Sequence, residues 1–188
     1  TDSSGNVYVT GHTYGGLDGN TNAGFNDLFV VKYDSSGVKQ WTKQLGTSSW
    51  EVASDISTDS NGNVYVAGTT KGGLDGNSNA GYDLFVVKYD SLGVKQWTKQ
   101  LGTSSFDGAS DISTDSSGNA YVTGVTRGGL DGNSNAGGED LFVVKYDSSG
   151  NKQWTRQLGT SRNERSNDIT SDSSGNVYVT GGTEWSAG

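Results

Sequence analysis

Cysteine, proline and methionine are all missing from this 188-residue chain. Without cysteine, the chain has no disulfide scaffold, no thiolate zinc site and no thiol nucleophile. Its single histidine, His12, argues against a Ser-His-Asp triad and excludes a metal site built from several histidines of one chain. No apolar run approaches the roughly 18 residues of a membrane-spanning helix, so we expect no membrane insertion.

Apolar residues and basic residues are both scarce. Hydrophobic residues make up 30% of the chain, and 21 acidic residues outnumber 13 basic ones, for a net charge of −8. This balance argues against binding to phosphate backbones, and we expect no nucleic-acid partner. Low apolar content with 30 glycines is typical of disorder, but aromatic residues form 10% of the chain and recur at regular positions, which indicates a folded repeat.

The repeated phrase is Asp-Ser-Ser-Gly-Asn-Val-Tyr-Val-Thr-Gly or a close variant, and it begins at Asp2, Asp59, Asp115 and Asp172. The copies are therefore spaced by 57, 56 and 57 residues. Residues 1–57 align with 58–113 with one gap, and 46 of the 56 aligned pairs are identical. Repetition at this period is the signature of an architecture in which each copy is one supersecondary unit.

Each copy predicts four short β-strands separated by turns. In the second copy the strands are 53–59, 63–70, 83–90 and 95–101, all rich in β-branched or aromatic residues. Gly62 and Gly93 supply the positive φ of tight hairpins. The third strand has four consecutive apolar residues and is expected to be covered on both faces, whereas the alternating fourth strand is expected to lie outside. The sequence therefore predicts an all-β fold made of four-stranded antiparallel β-propeller blades.

The repeated phrases also resemble a known family. Gly-Asn-Val-Tyr-Val-Thr-Gly-x-Thr is followed by Asp-Leu-Phe-Val-Val-Lys-Tyr-Asp and by Lys-Gln-Trp-Thr-Lys-Gln-Leu-Gly. Together they are similar to the bacterial SBBP-type β-propeller repeat, over essentially the whole chain. The resemblance implies a propeller fold and an extracellular or cell-surface bacterial setting. It implies no reaction, because members of this family mostly have no assigned activity.

The chain contains about three blades, whereas closed propellers typically have 4–8. We expect a single repeat array over 1–188: 1–52 is a blade without its first strand, 53–108 and 109–165 are full blades, and 166–188 is the first two strands of a further blade. Three explanations stay open: an excerpt of a longer propeller, several copies that close one ring, or an open array or filament. The expected partner is therefore a further copy or the remainder of a longer chain, since unpaired edges favour association.

The segment between the second and third strands predicts a calcium loop. Its oxygen-bearing side chains alternate, so a coiled loop could aim them at one centre, and Ca²⁺ takes 6–8 hard oxygen ligands. These loops are similar to those of integrin-type propellers, although glycine is at position 7 and two copies have one extra residue. The alternative is a plain polar turn. The candidate ligands are Asp18, Asn20, Asn22, Gly24 and Asp27; Asp75, Asn77, Asn79, Gly81 and Asp83; and Asp131, Asn133, Asn135, Gly137 and Asp140.

The loop between the fourth strand and the next blade differs between copies and is expected at the same end of the blades. Trp50 with Glu51, and Phe106 with Asp107, place an aromatic ring beside a carboxylate, a pairing that can stack on a sugar ring and accept its hydroxyl hydrogens. These residues are candidate glycan ligands, because loops on rigid scaffolds often carry function. The alternative is that the rings fill the gap between neighbouring blades.

Two further recurring sets have structural and functional interpretations. The tryptophans of the fourth strand are expected to be packing residues. The aspartates before the first strand's isoleucine are expected to line up near the central channel, where they would serve either as acid–base pairs or as polar partners for the turn between the fourth strand and the next blade. The two sets are Trp41, Trp97 and Trp154, and Asp55, Asp111 and Asp168.

These features favour a non-enzymatic, calcium-stabilised propeller segment with a structural or adhesive role in a bacterial surface or matrix protein. The alternatives are a lectin-like module that uses the aromatic loops and a self-assembling filament subunit. An enzyme is not expected, because near-identical repeats offer no asymmetric site in which acid and base have distinct environments.

Overall fold

The computed structural model describes residues 1–172 and 174–184. Within these residues the chain forms thirteen β-strands and no α-helix. The strands are β1 Val7–Thr13, β2 Asp27–Tyr33, β3 Lys39–Leu45, β4 Glu51–Thr58, β5 Val64–Thr70, β6 Asp83–Tyr89, β7 Lys95–Leu101, β8 Asp107–Thr114, β9 Ala120–Thr126, β10 Asp140–Tyr146, β11 Lys152–Leu158, β12 Asn163–Ser171 and β13 Val177–Glu184. No helix in the described part of the chain is long and apolar enough to cross a membrane.

The strands form four antiparallel sheets that follow the chain order. They are β1-β2-β3, β4-β5-β6-β7, β8-β9-β10-β11 and β12-β13. The predicted all-β fold with four-stranded antiparallel repeats is therefore confirmed, and strand boundaries in the second copy agree within two residues. The sheets form an open array, in which two complete sheets stand between a three-stranded and a two-stranded one.

Burial follows the polarity of each strand. All seven residues of β6 are buried, as its continuous Leu84-Phe85-Val86-Val87 run predicts. The outer strand β7 is exposed at its start and half-buried along the rest. Because β6 is covered on both faces and lies between β5 and β7 in the sheet, it forms the centre of its blade.

The sheets pack face to face and bury two apolar cores. Between the first and second sheets, Leu28 and Val30 pack with Phe85 and Val87. The same positions meet again between the second and third sheets, where Leu84 and Val86 pack with Phe142 and Val144. Full burial of one such side chain contributes about 1.5–3 kcal/mol, so the repeated interfaces hold the array together. The first strands β4, β8 and β12 lie next to one another along its inner side.

An aspartate organises the turn between the first two strands of each repeat. Asp59 accepts the backbone N–H groups of Asn61 at 2.9 Å and Asn63 at 3.0 Å, while Gly62 closes the turn at φ +75°. The other carboxylate oxygen accepts the Asn63 side chain and the Tyr65 hydroxyl. This network ties the turn to the core, because the Tyr65 ring is fully buried.

Candidate interaction surface

The loop between the second and third strands of each sheet, here called the long loop, is held by the outer strand of its own sheet. Asp75 has positive φ and binds Lys95 and Thr98 of β7. Burial opposes its ionisation, but the hydrogen bonds from Lys95 and Thr98 prevail and hold the pKa of this carboxyl below its ordinary value. Lys39 pairs in the same way with Asp18, and Lys152 with Asp131.

The amides inside the long loop are also engaged within the protein. The side-chain nitrogen of Asn77 donates to the Leu74 carbonyl at 2.7 Å. That of Asn79 donates to the Lys71 and Gly81 carbonyls, each at 3.1 Å, and its oxygen accepts Gln100 of β7. The asparagines thus shape the loop by bonding to its backbone.

The last aspartate of each long loop is buried and only partly paired. In Asp83, Oδ2 accepts the Ala80 N–H at 3.1 Å and the Gln100 side chain at 2.9 Å. The buried Oδ1 has no hydrogen-bond partner among the described residues and lies against the α-carbon of Gly102, where an added methyl group would be 2.2 Å away. Asp27 and Asp140 repeat this arrangement. The unpaired oxygen faces the short glycine turn after β7.

The oxygen donors therefore do not fit a calcium ion as they are arranged. Asp75 faces Lys95, Asp83 faces Gln100 and Gly102, and Asn79 bonds to the loop backbone. Among the described residues no cluster of three or more carboxylate or histidine side chains could hold a metal ion. A bound cation would have to displace the lysine. Calcium binding is what the alternating spacing of the sequence predicts, and no calcium measurement tests it. The spacing alone could not show that a lysine already neutralises the first aspartate.

A short loop joins each sheet to the next, and the carboxylate that directly follows it, at the start of β4 or β8, is buried. Glu51 is fully buried and accepts the Thr47 N–H at 2.7 Å, the Thr47 hydroxyl at 2.8 Å and the Thr70 hydroxyl at 2.8 Å. Asp107 is likewise buried, with Thr103 and Thr126 as its donors. Both side chains hold the short loop closed, so neither carboxylate is presented to a sugar.

The aromatic residues at this end of the sheets are accessible. Trp50 is 48% exposed and Phe25, on the adjacent long loop, is 67% exposed. Their ring centroids lie 6.4 Å apart in an edge-to-face arrangement, next to a parallel bridge between Asn26 and Trp50. Sequence reasoning proposed Trp50 but missed Phe25, which faces it across the junction between the two loops.

The equivalent junctions carry different chemistry. In the second, Tyr82 and Phe106 pack with centroids 5.9 Å apart, and the Lys71 ammonium lies 5.1 Å from the Tyr82 centroid. In the third, the buried Glu139 bonds Arg127 at 2.6 Å and Arg165 at 2.7 Å. Burial opposes ionisation of Glu139, but the two guanidinium groups hold its pKa below the ordinary value.

These differing residues form one continuous surface, which we call the variable edge. Backbone hydrogen bonds connect its parts from one sheet to the next: the Lys71 N–H donates to the Trp50 carbonyl, and the Arg127 N–H donates to the Phe106 carbonyl. Five of the ten differences between the first two copies fall on it or directly beside it in the chain, although the copies are otherwise nearly identical. The variable edge comprises His12, Tyr14, Phe25, Asn26, Trp50, Lys71, Tyr82, Phe106, Arg127, Glu139, Asn163, Arg165 and Glu184.

The inner strands bring the predicted aspartates into a column. Asp55 accepts the Ile112 N–H at 3.2 Å, and Asp111 accepts the Ile169 N–H at 2.7 Å, so each carboxylate bridges to the next sheet. Burial and a hydrogen bond with Asp55 raise the pKa of Asp111. A hydrogen bond with Asp111 raises that of Asp168. The carboxylates thus accept backbone N–H groups from the inner strands β8 and β12.

The antiparallel sheets, their stacked cores and the repeated turn network define a β-propeller repeat protein. The model of the SBBP beta-propeller repeat family matches residues 40–75, 96–131 and 153–183. The chain belongs to this family.

Two relatives share this repeat region. The regulatory protein FlaEY of Caulobacter vibrioides is 30% identical over 191 residues, a match that covers 90% of this chain and 20% of the relative. An uncharacterized WD repeat-containing protein of Acanthamoeba polyphaga mimivirus is 26% identical over 181 residues, which cover 75% of this chain and 13% of the relative. The chain therefore spans a fifth or less of the curated relatives it matches.

Proposed function

We propose that this chain is a non-catalytic β-propeller module that binds a partner through the variable edge. The proposal rests on the positions at which the repeats differ. Most positions that build strands, turns and cores are the same in successive copies, whereas the aromatic and charged residues of the variable edge change from copy to copy. A surface that changes on an unchanged scaffold is suited to recognition, because loops on a rigid frame carry function.

The exposed aromatic pair supports an adhesive role. Phe25 and Trp50 present flat apolar surface to solvent at the junction between the first two sheets. Aromatic side chains provide large contact area at low conformational cost and are enriched where proteins bind partners. A glycan is the alternative ligand class, bound by stacking on these rings without the Glu51 carboxylate, which is buried.

The arrangement of carboxylates supports a role without catalysis. Glu51 and Asp107 are occupied by threonine donors, and Glu139 by two arginines. These three acids therefore serve as structural acceptors of hydrogen bonds. The proposed role also requires no calcium, since Lys95 already balances the charge of Asp75.

An exported bacterial surface or matrix protein is the proposed setting. The acidic composition and the lack of cysteine support it, together with the bacterial repeat that the sequence resembles. The similar Caulobacter protein carries the name of a regulatory protein, which agrees with a binding role for the shared repeats.

Binding to a glycan array and to immobilised matrix polysaccharides tests the proposal. We expect Phe25→Ala and Trp50→Ala to reduce binding at least tenfold, while Leu92→Ala, an equally apolar change at an exposed turn, leaves it unchanged. Equal binding by all three variants would show that the variable edge is not the contact surface. If wild-type protein binds no glycan, the carbohydrate alternative is wrong.

A further inference from the structure

A row of four side chains at the second junction of the variable edge combines positive charge with aromatic surface. The Lys71 ammonium lies 5.1 Å from the centroid of the Tyr82 ring, which in turn lies 5.9 Å from the centroid of the Phe106 ring. The central carbon of the Arg127 guanidinium lies 5.6 Å from the Phe106 centroid. Each ring of the pair is therefore within cation–π distance of its own cation, and we call these four residues the charged row.

The cations of the charged row are accessible, whereas the acids beside it are not. Lys71 is exposed, and the Arg127 side chain is 58% exposed. Asp107, which follows Phe106 in the chain, is fully buried and already accepts hydrogen bonds from threonine groups. Glu139 is buried as well. The charges that this stretch presents to solvent are therefore positive, although the net charge of the whole chain is −8.

The Lys71 ammonium has no carboxylate partner among the described residues, where its contact is the Tyr82 ring. By contrast, the lysine that begins each outer strand is paired with an aspartate of the long loop. Lys71 and Arg127 occupy the same position in successive copies, where the first copy has Tyr14. A cation without an acid to balance it is suited to an anionic ligand, because opposite charges across an interface give specificity.

The Arg127 guanidinium is held in place by one side of its planar fork. Glu139 Oε1 accepts its Nε at 3.0 Å and its Nη2 at 2.6 Å, while Oε2 of the same carboxylate accepts Arg165 Nε at 2.7 Å. Arg127 Nη1 has no acceptor among the described residues. A guanidinium fixed in this way presents its remaining N–H groups in a set direction, and that planar donor group matches a carboxylate.

We propose that the charged row binds a sugar ring that carries a carboxylate, the chemistry of the uronic acid residues of acidic polysaccharides. Tyr82 and Phe106 are half-buried and supply the flat faces on which the sugar ring stacks. Lys71 and Arg127 supply the charges that pair with its carboxylate. The inference rests on the proposed function, because it names the ligand class of the same surface.

The composition of the row favours an acidic sugar over the other ligands of similar chemistry. A neutral glycan would leave both cations without a partner. An acidic peptide would pair with the cations, but its carboxylates stand on flexible side chains and bring no rigid ring to the aromatic pair. The net charge of −8 does not oppose binding of one acidic residue, since charges more than about 8 Å away are largely screened at physiological ionic strength.

Titration calorimetry of the full chain with three probes tests the ligand class. The probes are oligogalacturonate, its fully methyl-esterified form, which keeps the rings and masks the carboxylates, and polyglutamate, which has carboxylates without sugar rings. We expect oligogalacturonate to bind at least tenfold more tightly than either of the others. Equal binding of the ester would show that the cations play no part, and equal binding of polyglutamate would show that the sugar ring plays none. Either result would overturn the proposal.

Two substitutions locate the site. Lys71→Gln should weaken oligogalacturonate binding at least tenfold and leave binding of the ester unchanged. Arg156→Gln is the matched control, because Arg156 also lies over a ring, 5.8 Å from the Trp154 centroid, but on the outer strand β11. Thermal melts check that both variants are folded. If the two variants bind oligogalacturonate equally well, the charged row is not its site.

The same titrations separate this inference from the proposed function. If Trp50→Ala abolishes binding of oligogalacturonate and Lys71→Gln does not, the assignment to the charged row is wrong, while the variable edge remains a binding surface. If oligogalacturonate does not bind but a neutral glycan on the array does, the acidic ligand class is wrong and the proposed function stands. If no glycan binds, both this inference and the carbohydrate alternative are wrong.

Discussion

A hydrogen-bonded tyrosine–aspartate pair recurs in each repeat, with the tyrosine buried in some copies and exposed in another. The same tyrosine-to-phenylalanine substitution can therefore be compared at buried and exposed sites of one chain. The Tyr65 hydroxyl lies 3.1 Å from Asp59 Oδ2, and the Tyr178 hydroxyl lies 3.1 Å from Asp172 Oδ2. The two pairs have equal geometry, but Tyr65 is fully buried and Tyr178 is 55% exposed. Replacement of each tyrosine by phenylalanine removes the hydroxyl and leaves the ring.

The expected cost differs because water can replace the hydroxyl at only one of the two sites. A hydrogen bond to a charged group contributes about 1.5–3 kcal/mol when its partner cannot be rehydrated. Tyr65 also lies 2.9 Å from the Gly118 carbonyl of the next sheet, so its loss weakens an interface between sheets. Tyr65→Phe is therefore expected to cost about 2 kcal/mol. Tyr178→Phe is expected to cost less than about 0.5 kcal/mol, as do most exposed substitutions.

Urea unfolding followed by tryptophan fluorescence measures this difference. In a chain of this size each kcal/mol corresponds to a shift of about 2–4 °C in Tm, so thermal melts should separate the two variants clearly. Tyr121→Phe is the internal replicate, because Tyr121 is also fully buried and its hydroxyl lies 3.0 Å from Asp115 Oδ2. If Tyr178→Phe proves as costly as Tyr65→Phe, burial is not what gives the pair its strength.

Three further outcomes follow from the structure. Calcium at millimolar concentration and EDTA should both leave the melt unchanged, because Lys95 neutralises Asp75; a calcium-dependent rise of several degrees would contradict this. The folded state raises the pKa of Asp111, so ionisation of this carboxyl destabilises the fold as pH rises above about 4. Asp111→Asn should therefore raise Tm at pH 7 but not at pH 3. Thermal melts of the wild type and the variant at both pH values would show this difference. Gly68→Ala should cost at least about 1–3 kcal/mol in urea unfolding, since its methyl group would lie 2.1 Å from the Val52 carbonyl oxygen and 2.7 Å from the Phe85 ring, and Gly182→Ala should cost little.

Most of the fold could be predicted from the sequence because the repeat combines several local signals. Aspartate and glycine at fixed offsets mark each hairpin, and the apolar run of the third strand marks the centre of the blade. Gly62 and Gly93 do adopt positive φ, and β6 is buried along its length. Such signals act over a few residues, so they can be recognised without knowledge of the packing.

The candidate site was harder to predict because its contacts join distant strands. Alternating oxygens in the long loop suggested convergence on an ion, whereas pairing with β7 brings Lys95 to Asp75 and Gln100 to Asp83. Glu51 beside Trp50 suggested an exposed pair, but Trp50 directly precedes β4, and consecutive side chains of extended backbone point to opposite sides. The carboxylate therefore turns inward to Thr47 and Thr70 while the ring turns outward.

Neighbouring positions of the variable edge differ together from one junction to the next. Where Phe25 faces Trp50 the contact is an aromatic pair, and where Tyr82 faces Phe106 it is a second one. In the third copy the aromatic positions are lost, and Glu139 is held instead by flanking arginines. Each junction thus keeps a cohesive contact while its chemistry toward solvent changes, so recognition can diverge between copies without loss of the stacked sheets beneath.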